Sequence, residues 1–124
     1  MEIRSYRDLK VWQLGMDLVH RVYDVTREFP KTEIFGLTSQ IRRAAVSVPS
    51  NVAEGHARGG TREFLHFLTI SLGSLAELET QLVIAHRLEY VDNEAADHVL
   101  HMCDQVGRML RALQKSLKAK VEEQ

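Results

Sequence analysis

Residues 35–60, FGLTSQIRRAAVSVPSNVAEGHARGG, decide the fold. On a helical wheel drawn at about 100° per residue, Leu37, Ile41, Ala44, Ala45, Val48 and Val52 gather on one side. Gln40, Arg43, Ser47, Asn51, Glu54 and Arg58 form a second, polar line beside them. The pattern predicts a helix over about 37–57. Pro49 lies inside it, where a straight helix would cost ~3 kcal/mol through the lost donor and the clash of the ring with the Ala45 carbonyl. A kink near Pro49 is therefore expected, with Ser47 accepting from the Ser50 amide to cap the second half.

Working upstream, Phe29-Pro30-Lys31-Thr32 ends an earlier helix predicted over about 7–28, because residues before proline avoid the α region. That helix has two apolar stripes: Val11, Leu14, Leu18, Val22 and Val25, and about 130° round the wheel Trp12, Met16, Val19 and Tyr23. Together they span roughly 200°, against the ~100° that a helix on the outside of a monomer needs. The excess predicts a second partner, read here as another subunit.

Downstream, Gly59-Gly60 breaks the chain, and Thr61 is placed to cap a helix over about 62–88 with Glu63 at the favourable end of its dipole. Its apolar set is also broad: Phe64, Leu65, Phe67, Leu68, Leu72, Leu75, Leu78, Leu82 and Val83. Glu79 falls within that arc, so its carboxylate needs a partner or an interface edge. Asp92 caps a last helix over about 93–120, whose Val99, Cys103, Val106, Leu110, Leu113 and Leu117 form one plain stripe. Four helices joined by short connections predict an all-α, antiparallel up-down-up-down bundle, one domain over residues 1–124.

Composition supports the same class. Gly and Pro number seven and two, and Leu, Ala, Glu and Arg are plentiful. The formal charge of −1 supplies no global field toward nucleic acid or an acidic membrane, so any such binding must be local. Cys103 is the only cysteine, which excludes an intrachain disulfide and points to a reducing compartment. The opening MEIRSYRDLK lacks the apolar core of a signal peptide, and no apolar run approaches the roughly 18 residues of a membrane span. A cytoplasmic protein is expected.

Chemistry-bearing arrangements are sparse. Glu63-x-x-His66 has the spacing used by ferritin-like bundles, which makes a metal-dependent bundle enzyme the alternative reading. Both residues lie on or near a polar face, so solvated charge is the plainer account. His98 and His101 stand near Cys103, but no second ligand pair has a zinc-like spacing. The glycines of AEGHARGG follow a helix rather than a strand and lack the context of a phosphate loop. No catalytic residue, metal ligand or cofactor is nominated. Arg108, Arg111, Lys115 and Lys118 are spaced as one exposed stripe, and Arg42, Arg43, Arg58 and Arg62 bracket the central segment. The basic stripe and Arg42, Arg58 and Arg62 are the nucleic-acid-binding candidates. The polar line Gln40, Arg43, Ser47, Asn51 and Glu54 reads as a device that fixes packing register.

The central segment FGLTSQIRRAAVSVPSNVAEG, preceded by LKVWQ and FPKTE and followed by EFLHFL and SLAELETQL, resembles the four helix bundle protein family, also called the intervening-sequence or ribosomal-protein-like family. Its members include proteins encoded within insertions in bacterial large-subunit ribosomal RNA genes. The resemblance runs from about Tyr6 to Tyr90 and implies an antiparallel bundle assembled as a homopentamer. The family is similar to the accessory variability protein of diversity-generating retroelements, a basic pentamer thought to bind nucleic acid and the reverse transcriptase. The expectation is a non-enzymatic oligomeric binding or scaffold module for RNA or a protein partner. Its expected subunit interface comprises Trp12, Met16, Val19 and Tyr23, then Gln40, Arg43, Ser47, Asn51 and Glu54, and finally Leu65, Leu72 and Glu79.

Overall fold

Ser5 and Asp8 close a reciprocal cap at the start of the chain. The Ser5 hydroxyl accepts from the Arg7 amide at 3.0 Å and Asp8 Oδ2 accepts from the Ser5 amide at 3.2 Å, winding Tyr6–Asp8 into a 3₁₀ turn. The α-helix expected from residue 7 consequently starts at Lys10. A computed structural model describes residues 3–123, and within them four α-helices and no strand are found. They are α1 Lys10–Thr26, α2 Leu37–Ala57, α3 Thr61–Arg87 and α4 Asn93–Glu122. A second 3₁₀ turn, Lys31–Glu33, sits in the connection after α1.

Local chemistry explains the helix ends. Gly59, at φ 83°, and Gly60 end α2 and open α3 within three residues, and Gly60 takes the N-cap position expected of Thr61, which becomes the first helical residue. Asp92 caps α4 as expected, accepting from the Ala95 amide at 2.8 Å. At the end of α3 the Tyr90 amide bonds the Ala85 carbonyl and the Glu89 amide bonds that of His86. This is a Schellman closure, with Glu89 in the left-handed region at φ 63°, a place usually taken by glycine.

Contacts between helices run in opposite chain directions. Between α1 and α2, Arg42 meets Thr26 while Pro49 meets Gly15. Between α2 and α3, Ser47 meets Ser74 while Gly55 meets Phe64 and Phe67. Gln114 and Gly107 of α4 likewise meet Thr69 and Leu75 of α3, and α4 closes the bundle against α1. The order is up-down-up-down. Leu18, Val22, Ile41, Ala45, Val48, Val52, Leu68, Leu78, Leu82, Val99, Cys103, Val106 and Leu110 are almost wholly enclosed, so all four helices share one core.

Helix α3 departs from expectation in one respect. Its best 18-residue window reaches a mean hydropathy of 1.3, enough in length and composition for a membrane span, where none is expected. Only 33% of that window is buried in the bundle. The hydropathy is high because the outward side carries Ile70, Val83 and Ile84 as well, each about two-fifths exposed.

Candidate functional site

The helix α2 is continuous through Pro49, and the neighbouring carbonyls are engaged by side chains. Asn51 Nδ2 donates to the Ser47 carbonyl and to the Ser47 hydroxyl, both at 2.8 Å. Ser71, fully buried on α3, donates its hydroxyl to the Val48 carbonyl at 2.8 Å. Ser47, expected to cap the Ser50 amide, instead pairs its hydroxyl with Ser74 across the helix boundary at 2.8 Å. A hydrogen-bonded seam between α2 and α3 thus runs beside the mid-helix proline.

Above that seam the same two helices border a groove of about 460 Å³, lined by Gln40, Arg43, Ala44, Ser47, Ser74, Glu77 and Gln81. Its charges are unspent. Among the described residues, neither Arg43 nor Glu77 enters an ion pair, and both are exposed. Gln81 is only 8% exposed, and its Oε1 has no hydrogen-bond partner. A buried acceptor without a donor costs about 1–3 kcal/mol.

The structure brings Gln40, Arg43, Ser47 and Asn51 of the expected interface into this one region. Glu54, a turn further on, is held by Arg58 at 3.1 Å. The second stripe of α1 divides: Trp12 and Val19 pack against the core, whereas Met16 and Tyr23 are 44% and 37% exposed. Leu65 and Leu72 also pack partly against the core. Glu79 is half-buried and has no hydrogen bond or ion pair among the described residues. Burial, and secondarily the Glu79 charge, push the Cys103 thiol up to about 12.

The basic candidates separate in the same way. Arg42 donates to the Thr26 hydroxyl at 2.8 Å and lies 4.5 Å from the Tyr23 ring centroid, so it is occupied within the bundle. Arg58 is taken up by Glu54, Glu63 and the Phe67 ring, and Arg108 by Asp104 at 3.0 Å. Arg62 is exposed. Arg111, Lys115 and Lys118 share a shallow hollow of about 390 Å³ with Gln114, Ala119 and Glu122. For the metal alternative, Glu63 sits 3.9 Å from Arg58 and His66 packs edge-on against Phe67. No group of three or more His, Cys, Asp or Glu side chains among the described residues is placed to hold a metal.

Sequence reasoning missed the α3 half of the groove. Ser74, Glu77 and Gln81 recur at intervals of three and four, with Ser71 one turn before, which is the same polar periodicity that marks α2. Matching the two polar lines would have identified the groove.

Fold and groove together define an antiparallel four-helix bundle with a polar cleft between α2 and α3 and apolar side chains outside it. Residues 7–112 match the family model described as 23S rRNA-intervening sequence protein, and the chain belongs to that family. It is also similar to the crystal structure, at 1.70 Å resolution, of a protein of unknown function from the S23 ribosomal protein family of Bacteroides thetaiotaomicron VPI-5482. The two are 21% identical with a TM-score of 0.78, covering 85% of this chain and 98% of that one, a likeness of fold. A search of curated proteins found no match.

Proposed function

We propose that the chain is a non-catalytic, cytoplasmic bacterial module that works as a homo-oligomer, a pentamer by resemblance to its family, and presents a repeated basic patch to RNA. The observation that carries the assembly is the apolar surface left outside a completed core: Met16 and Tyr23 on α1, Val46 on α2, and Ile70, Val83 and Ile84 on α3, each between 37% and 44% exposed. Such surface on several adjoining helices is what a subunit interface covers. RNA is favoured over a protein partner by Arg111, Lys115 and Lys118, which enter no ion pair among the described residues. A closed assembly multiplies that weak phosphate attraction. The metal-dependent enzyme has no comparable support, since no group of three or more ligand side chains among the described residues includes Glu63 and His66.

Light scattering at micromolar protomer concentration tests the assembly: an oligomer is expected, and a monomer refutes it. For RNA, affinity should fall with salt at a log–log slope of about −0.7 for each neutralised phosphate of a single strand. Changing Arg111, Lys115 and Lys118 to Glu should abolish binding while leaving the oligomer intact. Unchanged affinity would remove that patch from the function.

A further inference from the structure

We propose that the α2–α3 groove is a latch completed by a second copy of the chain, with Arg43 of the partner subunit entering it to bridge Glu77 and Gln81. The inference rests on the oligomeric reading above and names the contact that holds it. Arg43 and Glu77 border one groove yet make no ion pair among the described residues, and the Gln81 carbonyl oxygen is buried beside them without a donor among those residues. A group that completes the contact offers a donor to Gln81 and a positive charge to Glu77. Guanidinium has five N–H groups and no acceptor. Glu77 and Gln81 are one helical turn apart on α3, a separation that one such fork bridges.

The donor is present on the same surface. Arg43 of one copy, exposed and with no ion pair among the described residues, has the charge that Glu77 of the next copy takes, and repeating that contact round a closed ring is heterologous. The surroundings fit an interface as well. Ile70 and Ile84 lie one heptad to either side of Glu77, on the same line of α3, and Val46 lies a turn beyond Arg43 on α2, all three about two-fifths exposed. An apolar margin around a charged pair excludes water and strengthens the pair. The hydrogen-bonded seam of Ser47, Ser74 and Asn51 fixes the floor.

The test is sedimentation of the full chain at several protomer concentrations, with thermal unfolding followed in parallel. Arg43→Glu and Glu77→Arg should each weaken assembly by about tenfold or more, because each sets like charges face to face. The double variant should restore assembly to within about threefold of the parent. Glu77→Gln, which keeps the shape and removes the charge, should weaken assembly without altering the fold seen by circular dichroism. A monomeric parent overturns the oligomeric reading and the latch with it. An oligomeric parent whose Glu77→Gln and single-reversal variants assemble normally overturns the latch alone. Double reversal that restores thermal stability but not assembly places the pair within one chain and also overturns it.

Discussion

Gly55 and Gly73 are both helical, and the same substitution should move stability in opposite directions. A Cβ at Gly55 would stand 2.6 Å from Phe67 Cβ and 3.1 Å from Phe64 Cδ1. Carbon atoms pack at about 3.5–4.0 Å, so roughly 1 Å must be found. Phe67 Cβ is fixed to the α3 backbone, and it moves only if the two helices separate. Overpacking of that kind costs ~2–3 kcal/mol, while alanine gains ~1 kcal/mol of helix propensity over glycine, leaving Gly55→Ala about 1–2 kcal/mol less stable. Gly73 has nothing within 4 Å of the corresponding position. Gly73→Ala should therefore keep the whole propensity gain of about 1 kcal/mol. Urea denaturation at one fixed protomer concentration reads both, since assembly would otherwise shift the midpoint. With a slope near 2 kcal/mol per molar, the Gly55→Ala midpoint should fall by about 0.5–1 M and that of Gly73→Ala should rise by about 0.5 M. A Gly55→Ala protein as stable as the parent would refute the close approach of α2 and α3.

Further outcomes follow from features already described. Glu89→Gly should stabilise by about 1 kcal/mol in the same assay, because it removes a left-handed residue with a Cβ, and a loss of stability would mean that the Glu89 side chain contributes more than its strain costs. The Cys103 thiol, pushed up to about 12 by burial and by Glu79, should resist iodoacetamide at pH 8 until the chain unfolds; rapid alkylation of folded protein would contradict its enclosure. Because the folded thiol keeps its proton longer than the unfolded one, its contribution to stability is complete below about pH 9 and declines as pH rises toward about 12. Tyr90 acts in the same sense, raised chiefly by its hydrogen bond to the Glu33 carboxylate, so Tyr90→Phe should lessen the loss of stability above pH 10, and an unaltered alkaline profile would argue against that bond.

The apolar stripes carried the fold. Ile41, Ala44, Ala45, Val48 and Val52 on α2 and Val99, Cys103, Val106, Leu110 and Leu117 on α4 are all buried, because a 3.6-residue period is a local property that a sequence displays directly. The start of α1 was obscured by Ser5 and Asp8, whose capping box winds a separate turn before Lys10, although its Ser-x-x-Asp spacing stands in the sequence. Side chains that cross between helices were harder to place. Arg42 reads as a free surface cation until Thr26 and Tyr23, sixteen and nineteen positions away, are brought beside it. Half of the groove was similarly concealed, because Ser47 and Asn51 acquire their role only when Ser74 and Glu77 arrive on the next helix.

Pro49 has a consequence for the order in which the chain organises. Its ring removes the amide that would bond the Ala45 carbonyl, and the Val48 carbonyl receives a hydroxyl from Ser71, twenty-three residues further on. The hydrogen bonding of α2 beside the proline thus extends onto α3. A segment so made gains less from forming its own turns than from docking, and the short Gly59-Gly60 connection keeps the two halves near each other from the outset. Residues 37–87 should consequently condense as one helical hairpin, coupling local structure to tertiary contact in a single step.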